Sequence, residues 1–226
     1  MTENVAISEK SSLRDRKKAR RRDEIIAAAR ELFAEQGIDA TTIADIAAAA
    51  EVSPPTVFNY FGSKDGILVA MITEGTKEAR EKDRGKHLRP GADLTTLITE
   101  LFLRVTTRTL EVAGKRVWRY AESAAIRQPD TDLAREFENV ADALHAVVVD
   151  VLSDIVLETR SGIDCPRDYL ARILIDLWMP CFIKLITARD MSPDEYETLV
   201  RTRFEPLIGL IFTDACAADP KRIHQG

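Results

Sequence analysis

Thr42-Ile43-Ala44-Asp45-Ile46-Ala47-Ala48-Ala49-Ala50-Glu51-Val52-Ser53-Pro54-Pro55-Thr56-Val57-Phe58-Asn59-Tyr60-Phe61 is the stretch that decides the fold. Thr42 stands three residues before Asp45, so its hydroxyl can cap the free N–H groups of a helix start while the carboxylate suits the positive end of the helix dipole. That helix is short and ends at about Ala49 or Ala50. Ser53-Pro54-Pro55 opens another at once, because Ser is a good N-cap and Pro is at home in a first turn whose N–H groups have no partners anyway. Two helices this short, separated by Glu51 and Val52, have no private core and must cross at a large angle over a third helix. Ile43, Ile46, Ala47, Val52 and Val57 are the apolar set for that crossing, and residues 42–61 read as a helix-turn-helix.

Upstream, Ile25, Ile26, Ala29, Leu32 and Phe33 recur at helical spacing, and Gly37 follows where a left-handed residue closes a helix. The first helix is expected from about Arg20 to Gln36. Downstream, Gly62-Ser63-Lys64-Asp65 breaks and restarts the chain, and Ile67, Leu68, Met71 and Ile72 make a fourth helix that leaves the small module. A polar stretch from Arg80 to Gly91 reads as a linker. Further helices are expected at about Asp93–Val112, Lys115–Arg127, Asp130 or Thr131 to Glu158, Pro166–Arg189 and Ser192–Ala217, with no convincing strand pattern. The expected fold is all-α: a basic flexible arm (1–18), an N-terminal three-helix helix-turn-helix domain (19–79), a C-terminal helical domain (80–217) and a flexible tail (218–226).

The helix from 166 carries one apolar stripe through Leu170, Leu174, Leu177, Cys181 and Leu185, and a second through Ala171, Ile175, Met179, Ile183 and Ile186. A helix apolar on nearly all sides must be covered on nearly all sides. The final helix repeats the pattern, with Val200 and Leu210 off its main stripe, so the last two helices (about 166–189 and 192–217) are expected to pair with those of a second copy, giving a homodimer.

Composition narrows the function. At 226 residues, 45% hydrophobic and 31% charged, the chain can bury a real core and has neither a disordered nor a membrane composition. Its longest stretches without a polar residue, Leu177–Ile183 among them, fall far short of the roughly 20 apolar residues that span a bilayer. The first 22 residues lack the apolar run of a secretory signal, and a cytoplasmic location is expected. Cys165, Cys181 and Cys216 are odd in number and widely spaced, and read as buried free thiols. His87, His145 and His224 are too scattered for a metal site, and no glycine-rich phosphate loop, H-E-x-x-H or G-x-S-x-G occurs. Neither a cofactor nor an enzymatic activity is expected.

The net charge of −5 conceals an asymmetry. Lys10, Arg14, Arg16, Lys17, Lys18, Arg20, Arg21 and Arg22 against Glu3, Glu9 and Asp15 give residues 1–22 a charge of +5, leaving −10 on the remainder. A short basic arm on an acidic body marks one end for a nucleic acid or another anionic surface.

Three elements occur in order: Thr42-Ile43-Ala44-Asp45-Ile46-Ala47, then Val52 through Phe61, then Ser63-Lys64-Asp65-Gly66-Ile67-Leu68. Over about residues 19–79 this resembles the TetR family of bacterial transcription regulators, while the C-terminal two thirds is similar only in helical character and length. The resemblance implies that the helix Pro54–Tyr60 enters the major groove of a palindromic double-stranded DNA operator. Pro54 and Pro55 would open that helix against the DNA, Thr56 and Asn59 would hydrogen-bond, and Phe58 would meet thymine methyls. Thr42, Tyr60 and Lys64 would hold phosphates, which set register without carrying sequence information. A core ring is the alternative for Tyr60, and Phe61 is read as core.

Two positions depart from the family. Glu51 stands where Gly is usual and the turn often needs a positive φ, so the turn either carries some strain or adopts a slightly different geometry. The proline pair replaces residues that commonly offer a backbone N–H to phosphate, and Arg20, Arg21 and Arg22 are expected to compensate at phosphates or in the minor groove. The resemblance further implies that the C-terminal domain binds an unknown small-molecule effector. Phe102, Trp118, Tyr120, His145, Trp178, Met179 and Phe182 are the candidate ligand-binding residues, each equally readable as core packing. The implied function is transcriptional regulation, as a repressor released from its operator by a ligand. A helical small-molecule-binding protein without operator binding is the alternative.

Overall fold

The computed structural model describes residues 2–83, 89 and 91–223, with side chains described at 14–78, 89 and 91–223. Among the described residues the chain forms α1 (Thr2–Glu35), α2 (Ile43–Ala49), α3 (Pro54–Phe61), α4 (Lys64–Asp83), α5 (Leu94–Val112), α6 (Lys115–Arg127), α7 (Asp132–Ser153), α8 (Arg167–Thr187), α9 (Pro193–Ile211) and α10 (Asp214–Ala218). Their only β pairing is two isolated bridges, Ile155 with Arg222 and Thr159 with Phe212. No helix among them is long and apolar enough to cross a membrane.

The small module is built as its sequence pattern dictates. Ile25, Ile26, Ala29 and Phe33 of α1, Ile46 and Ala47 of α2, Val57 of α3 and Ile67, Leu68 and Met71 of α4 are all buried in one continuous core. Thr42 caps α2 reciprocally: its hydroxyl accepts from Asp45 N–H at 3.1 Å, and Asp45 Oδ2 accepts from Thr42 N–H at 2.8 Å. Hydrogen bonds from the Thr42 hydroxyl and amide hold the Asp45 carboxyl below its ordinary range. α4 then leaves the module, packing on α1 and α3 at one end and on α5 and α7 further along. In the larger domain α5 lies on α9, α6 on α7 and α8, and α8 on α7 and α9.

Four boundaries differ from the sequence reading. α1 is helical from Thr2, where a flexible arm through residue 18 and a start near Arg20 were expected; no Gly or Pro precedes Gly37, and the stretch is rich in Ala, Glu, Lys and Arg, which favour helix. α4 continues to Asp83, and the rest of the expected linker, 84–88 and 90, lies outside the described residues, as do His87 and His224. α7 stops at Ser153, because Ile155 and Leu157 reach the core in extended backbone. The last long helix stops at Ile211, and α10 restarts behind Thr213, whose hydroxyl caps Cys216 N–H at 3.2 Å.

The tail expected to be flexible is docked as far as Ile223. Val156 N–H donates to Lys221 O at 2.8 Å and Ile223 N–H to Asp154 O at 3.0 Å; residues 224–226 lie outside the described residues. The second apolar stripe of α8 is largely covered within the chain. Ala171 and Ile186 are buried and Ile175 and Met179 half-buried, while Ile183 stays 37% exposed and, on α9, Leu210 is 77% exposed.

α4 and α5 approach closely at Gly75, where an added β-carbon would lie 2.5 Å from Val112 Cγ1. Gly75→Ala is expected to cost about 1–3 kcal/mol by overpacking, and much less in a Val112→Ala background. Urea denaturation of the four proteins of this double-mutant cycle checks it, and equal costs in both backgrounds would refute the tight crossing.

Candidate nucleic-acid interface

The outer surface of the module centres on α3. Val57 is fully buried and pins the helix, while Pro54, Pro55, Phe58 and Asn59 face outward, Phe58 with 62% of its surface exposed. Thr56 and Tyr60 are half-buried. The Tyr60 ring sits 6.1 Å from that of Phe61, which is itself half-buried at the end of α3. A phenyl ring this exposed on a short helix held by its opposite face offers apolar contact to a partner surface.

The helix start offers little to an anion. Pro54 and Pro55 have no N–H, and the first two amides, of Thr56 and Val57, both donate to Ser53 O, at 2.9 and 3.3 Å. The Ser53 hydroxyl does not cap these amides; it pairs with the Thr56 hydroxyl at 2.8 Å. Thr56 thus enters any interface with its hydroxyl already in a local pair.

Glu51, in the turn before α3, has φ 53°. Val52 N–H reaches back across it to Ala47 O at 2.9 Å and closes the turn. The left-handed conformation that the family pattern requires is therefore present on a residue with a β-carbon.

Lys64 does not stand free for phosphate. Its ammonium donates to Ile38 O at 2.7 Å and Thr41 O at 2.8 Å, stitching the loop between α1 and α2 to the start of α4. Buried Thr41 completes the stitch by donating to Gly37 O at 2.7 Å. These carbonyls face the ammonium from 23 and 26 residues away in sequence, so no local pattern announces the contact. Arg22 is likewise engaged, ion-paired to Glu74 and stacked over the Phe61 ring at 5.5 Å. Arg20 and Arg21 remain on the surface, sharing Glu24 at 3.0 Å each, and Thr42 is exposed with its hydroxyl in the α2 cap.

Of the seven candidate ligand-binding residues, four meet. Phe102, Trp178, Phe182 and Trp118 form a chain of rings, at 5.4, 5.1 and 6.4 Å between successive centroids, extended by Phe204 and Phe137 at its ends. Trp178 Nε1–H donates to the Tyr196 hydroxyl at 2.9 Å, and that hydroxyl pairs with Thr106 Oγ1 at 2.9 Å. Burial pushes the Tyr196 phenol up to about 12. Met179 is half-buried on α8.

Tyr120 and His145 sit elsewhere. The Tyr120 hydroxyl donates to Asp65 Oδ1 at 3.1 Å at the junction with the small module, and His145 Nε2 lies 3.1 Å from Asp168 O at the α7–α8 edge. Glu122 of α6, one turn beyond Trp118, has a buried Oε2 with no hydrogen-bond partner, and burial raises its carboxyl. Among the described residues no group of His, Cys, Asp or Glu could hold a metal ion, and Cys165, Cys181 and Cys216 are free.

A helix-turn-helix with its second helix exposed, carried on a larger all-helical body, defines the class. Residues 25–71 match the sequence profile of bacterial regulatory proteins of the tetR family. The HTH-type transcriptional regulator TcmR of Streptomyces glaucescens is 46% identical over 61 residues, 27% of each chain. The HTH-type transcriptional repressor Rv3405c of Mycobacterium tuberculosis is 35% identical over 124 residues, 54% of this chain and 56% of its own. This chain therefore matches about a quarter and about half of these two relatives' lengths.

Among solved structures, the Thermus thermophilus TetR-family repressor FadR in complex with lauroyl-CoA superposes with a TM-score of 0.58 at 22% identity, over 85% of this chain and 95% of that one. A transcriptional regulator from Saccharomonospora viridis in complex with choline gives 0.61 at 20% identity, over 86% and 99%. Over residues 25–71 the chain is similar to the DNA-binding module of the tetR family, and over most of its length it shares the fold of the two solved neighbours.

Two substitutions separate structure from contact in this module. Lys64→Ala is expected to lower stability by about 1–3 kcal/mol, because it removes the ammonium from Thr41 O and leaves Ile38 O with only the Thr41 amide at 3.3 Å. Glu51→Gly is expected to raise it by about 0.5–1 kcal/mol through relief of the left-handed β-carbon, less the entropy a glycine adds to the unfolded chain. Chemical denaturation of each variant measures both, and an unchanged midpoint for Lys64→Ala would leave that ammonium free to hold phosphate.

Proposed function

We propose that the protein is a cytoplasmic, homodimeric, sequence-specific DNA-binding regulator of transcription, a repressor that a small molecule releases from its operator. The observation that carries this reading is the outward face of α3, where Phe58 and Asn59 stand exposed beside the buried anchor Val57. A helix held from behind in this way fits the major groove, where Asn59 and Thr56 reach base edges and Phe58 meets thymine methyls. Tyr60, Thr42, Arg20 and Arg21 are the phosphate contacts in this reading, with Lys64 and Arg22 supporting the module from within.

A dimer through α8 and α9 covers the apolar surface that one chain leaves open, including Tyr169, Ile183 and Leu210. Two recognition helices roughly 34 Å apart then meet successive turns of a palindrome. The effector site is placed at the ring chain between α5, α6 and α8. The ligands named for the two structural neighbours, lauroyl-CoA and choline, support a small-molecule role for this domain but are too unlike to choose its ligand.

Titration of the purified protein with DNA flanking its own gene, read by fluorescence anisotropy, tests the function. Sequence-specific binding that weakens steeply with salt is expected. Asn59→Ala should cost about 1–3 kcal/mol on the specific site and little on unrelated DNA, whereas Tyr60→Ala should weaken both alike. A folded protein that binds no DNA specifically would leave the small-molecule-binding alternative in place.

A further inference from the structure

α1 is twice the helix that its module needs. Its first buried residue among those described is Ile25, so the turns before it project beyond the core. From Arg14 to Arg21 every residue is exposed, and six of the eight are Arg or Lys, with Asp15 the single acid. Arg14, Arg16, Lys17 and Lys18 have no ion-pair partner among the described residues, while Arg20 and Arg21 share Glu24.

Helical periodicity sorts these charges. Arg14, Lys17, Lys18 and Arg21 stand at i, i+3, i+4 and i+7, which is one face. Arg14, Lys18 and Arg22 continue along its edge at steps of four, and Arg22 lies over the Phe61 ring at the end of α3. The basic face therefore emerges beside the end of the recognition helix, on a rigid rod. Like charges three and four residues apart destabilise a free helix by a few tenths of a kcal/mol per pair, so this surface is built at a standing cost that a polyanion removes.

We propose that this face of α1, through Arg14, Lys17 and Lys18, is a second and sequence-independent DNA grip, holding phosphates that flank the half-site read by α3. The inference rests on the DNA-binding reading above and extends it to the length of duplex engaged. From Arg14 to Arg22 the helix rises about 12 Å at 1.5 Å per residue, which matches roughly three to four base pairs of duplex at 3.4 Å each. The grip supplies the anion contacts that the proline-capped start of α3 does not.

The test uses the full chain and anisotropy titrations from 50 to 300 mM KCl against the specific duplex, that duplex shortened by five base pairs at each end, and unrelated DNA. The variant Arg14→Gln/Lys17→Gln/Lys18→Gln keeps good helix formers, and circular dichroism checks that it folds. Expected are a slope of log K against log salt shallower by about 0.9 for each phosphate no longer neutralised, at least tenfold weaker binding at 100 mM salt, and an unchanged ratio of specific to unrelated affinity. Shortening the duplex should weaken the wild type similarly and the variant hardly at all. The exchange Arg14→Lys/Lys17→Arg/Lys18→Arg should restore the wild-type slope. An unaltered slope, or equal sensitivity of wild type and variant to duplex length, overturns the grip. Failure of the wild type itself to bind specifically would instead overturn the DNA-binding reading on which it rests.

Discussion

The exposed face of α3 depends on a single backbone constraint, the left-handed turn at Glu51. With φ at 53° the chain reverses within two residues, so Val52 closes on Ala47 and α3 starts at once across α2. That geometry turns Val57 into the core and leaves Phe58 and Asn59 on the outside. A right-handed residue there would redirect α3 and bring another face of it outward. Retaining a β-carbon at this position costs on the order of 1 kcal/mol, a strain that the buried set around Ile46, Ala47 and Val57 offsets by apolar burial.

The same module is tied to the larger domain by polar contacts to its ends. Arg116 of α6 donates to the final carbonyls of α1, Glu35 O at 2.8 Å and Ala34 O at 3.4 Å, and Tyr120, one turn on, donates to Asp65 in the first turn of α4. Helix C-termini present unsatisfied carbonyls, which makes them natural seats for a guanidinium. α6 therefore holds both helices whose relative placement fixes α3, and its other side carries Trp118 in the ring chain. α6 thus links the ring chain to both helices through side-chain contacts, with no surface loop between.

What was legible in the sequence followed from local rules. The 3.6-residue period and capping signals located the helices, and α6 occupies Lys115–Arg127 as its pattern indicates. The Thr42 cap also depends on near neighbours and could be read, whereas at Glu51 the family pattern left strain and a different turn geometry both open until φ settled it at 53°. What escaped was non-local. Lys64 looks like a surface cation until the carbonyls of Ile38 and Thr41 fold onto it, and Arg22 looks like part of a basic run until Glu74 and Phe61 meet it. The end of α7 was hidden because Ile155 keeps the helical stripe in register while reaching the core in extended form. Tyr120 and His145 have the chemistry of pocket residues, yet their hydrogen bonds assign them to seams between helices.

In the proposed function, the ring chain constrains how an effector acts. Phe204, Phe102, Trp178, Phe182, Trp118 and Phe137 pack edge and face from α9 to α7, and the indole N–H groups are satisfied by Tyr196, Thr106 and the Thr109 carbonyl. A ligand entering here must separate rings already in contact, so it binds a conformation other than the packed one. By linkage it shifts the population only by its differential affinity for the two, and about 5.5 kcal/mol of difference is needed to carry an equilibrium from 1:99 to 99:1. Glu122 Oε2, one turn beyond Trp118 on α6, is buried without a hydrogen bond, a desolvation that weighs against the packed state. On that reading the packed rings are the unliganded arrangement, and the conformation a ligand selects is the one in which they have parted.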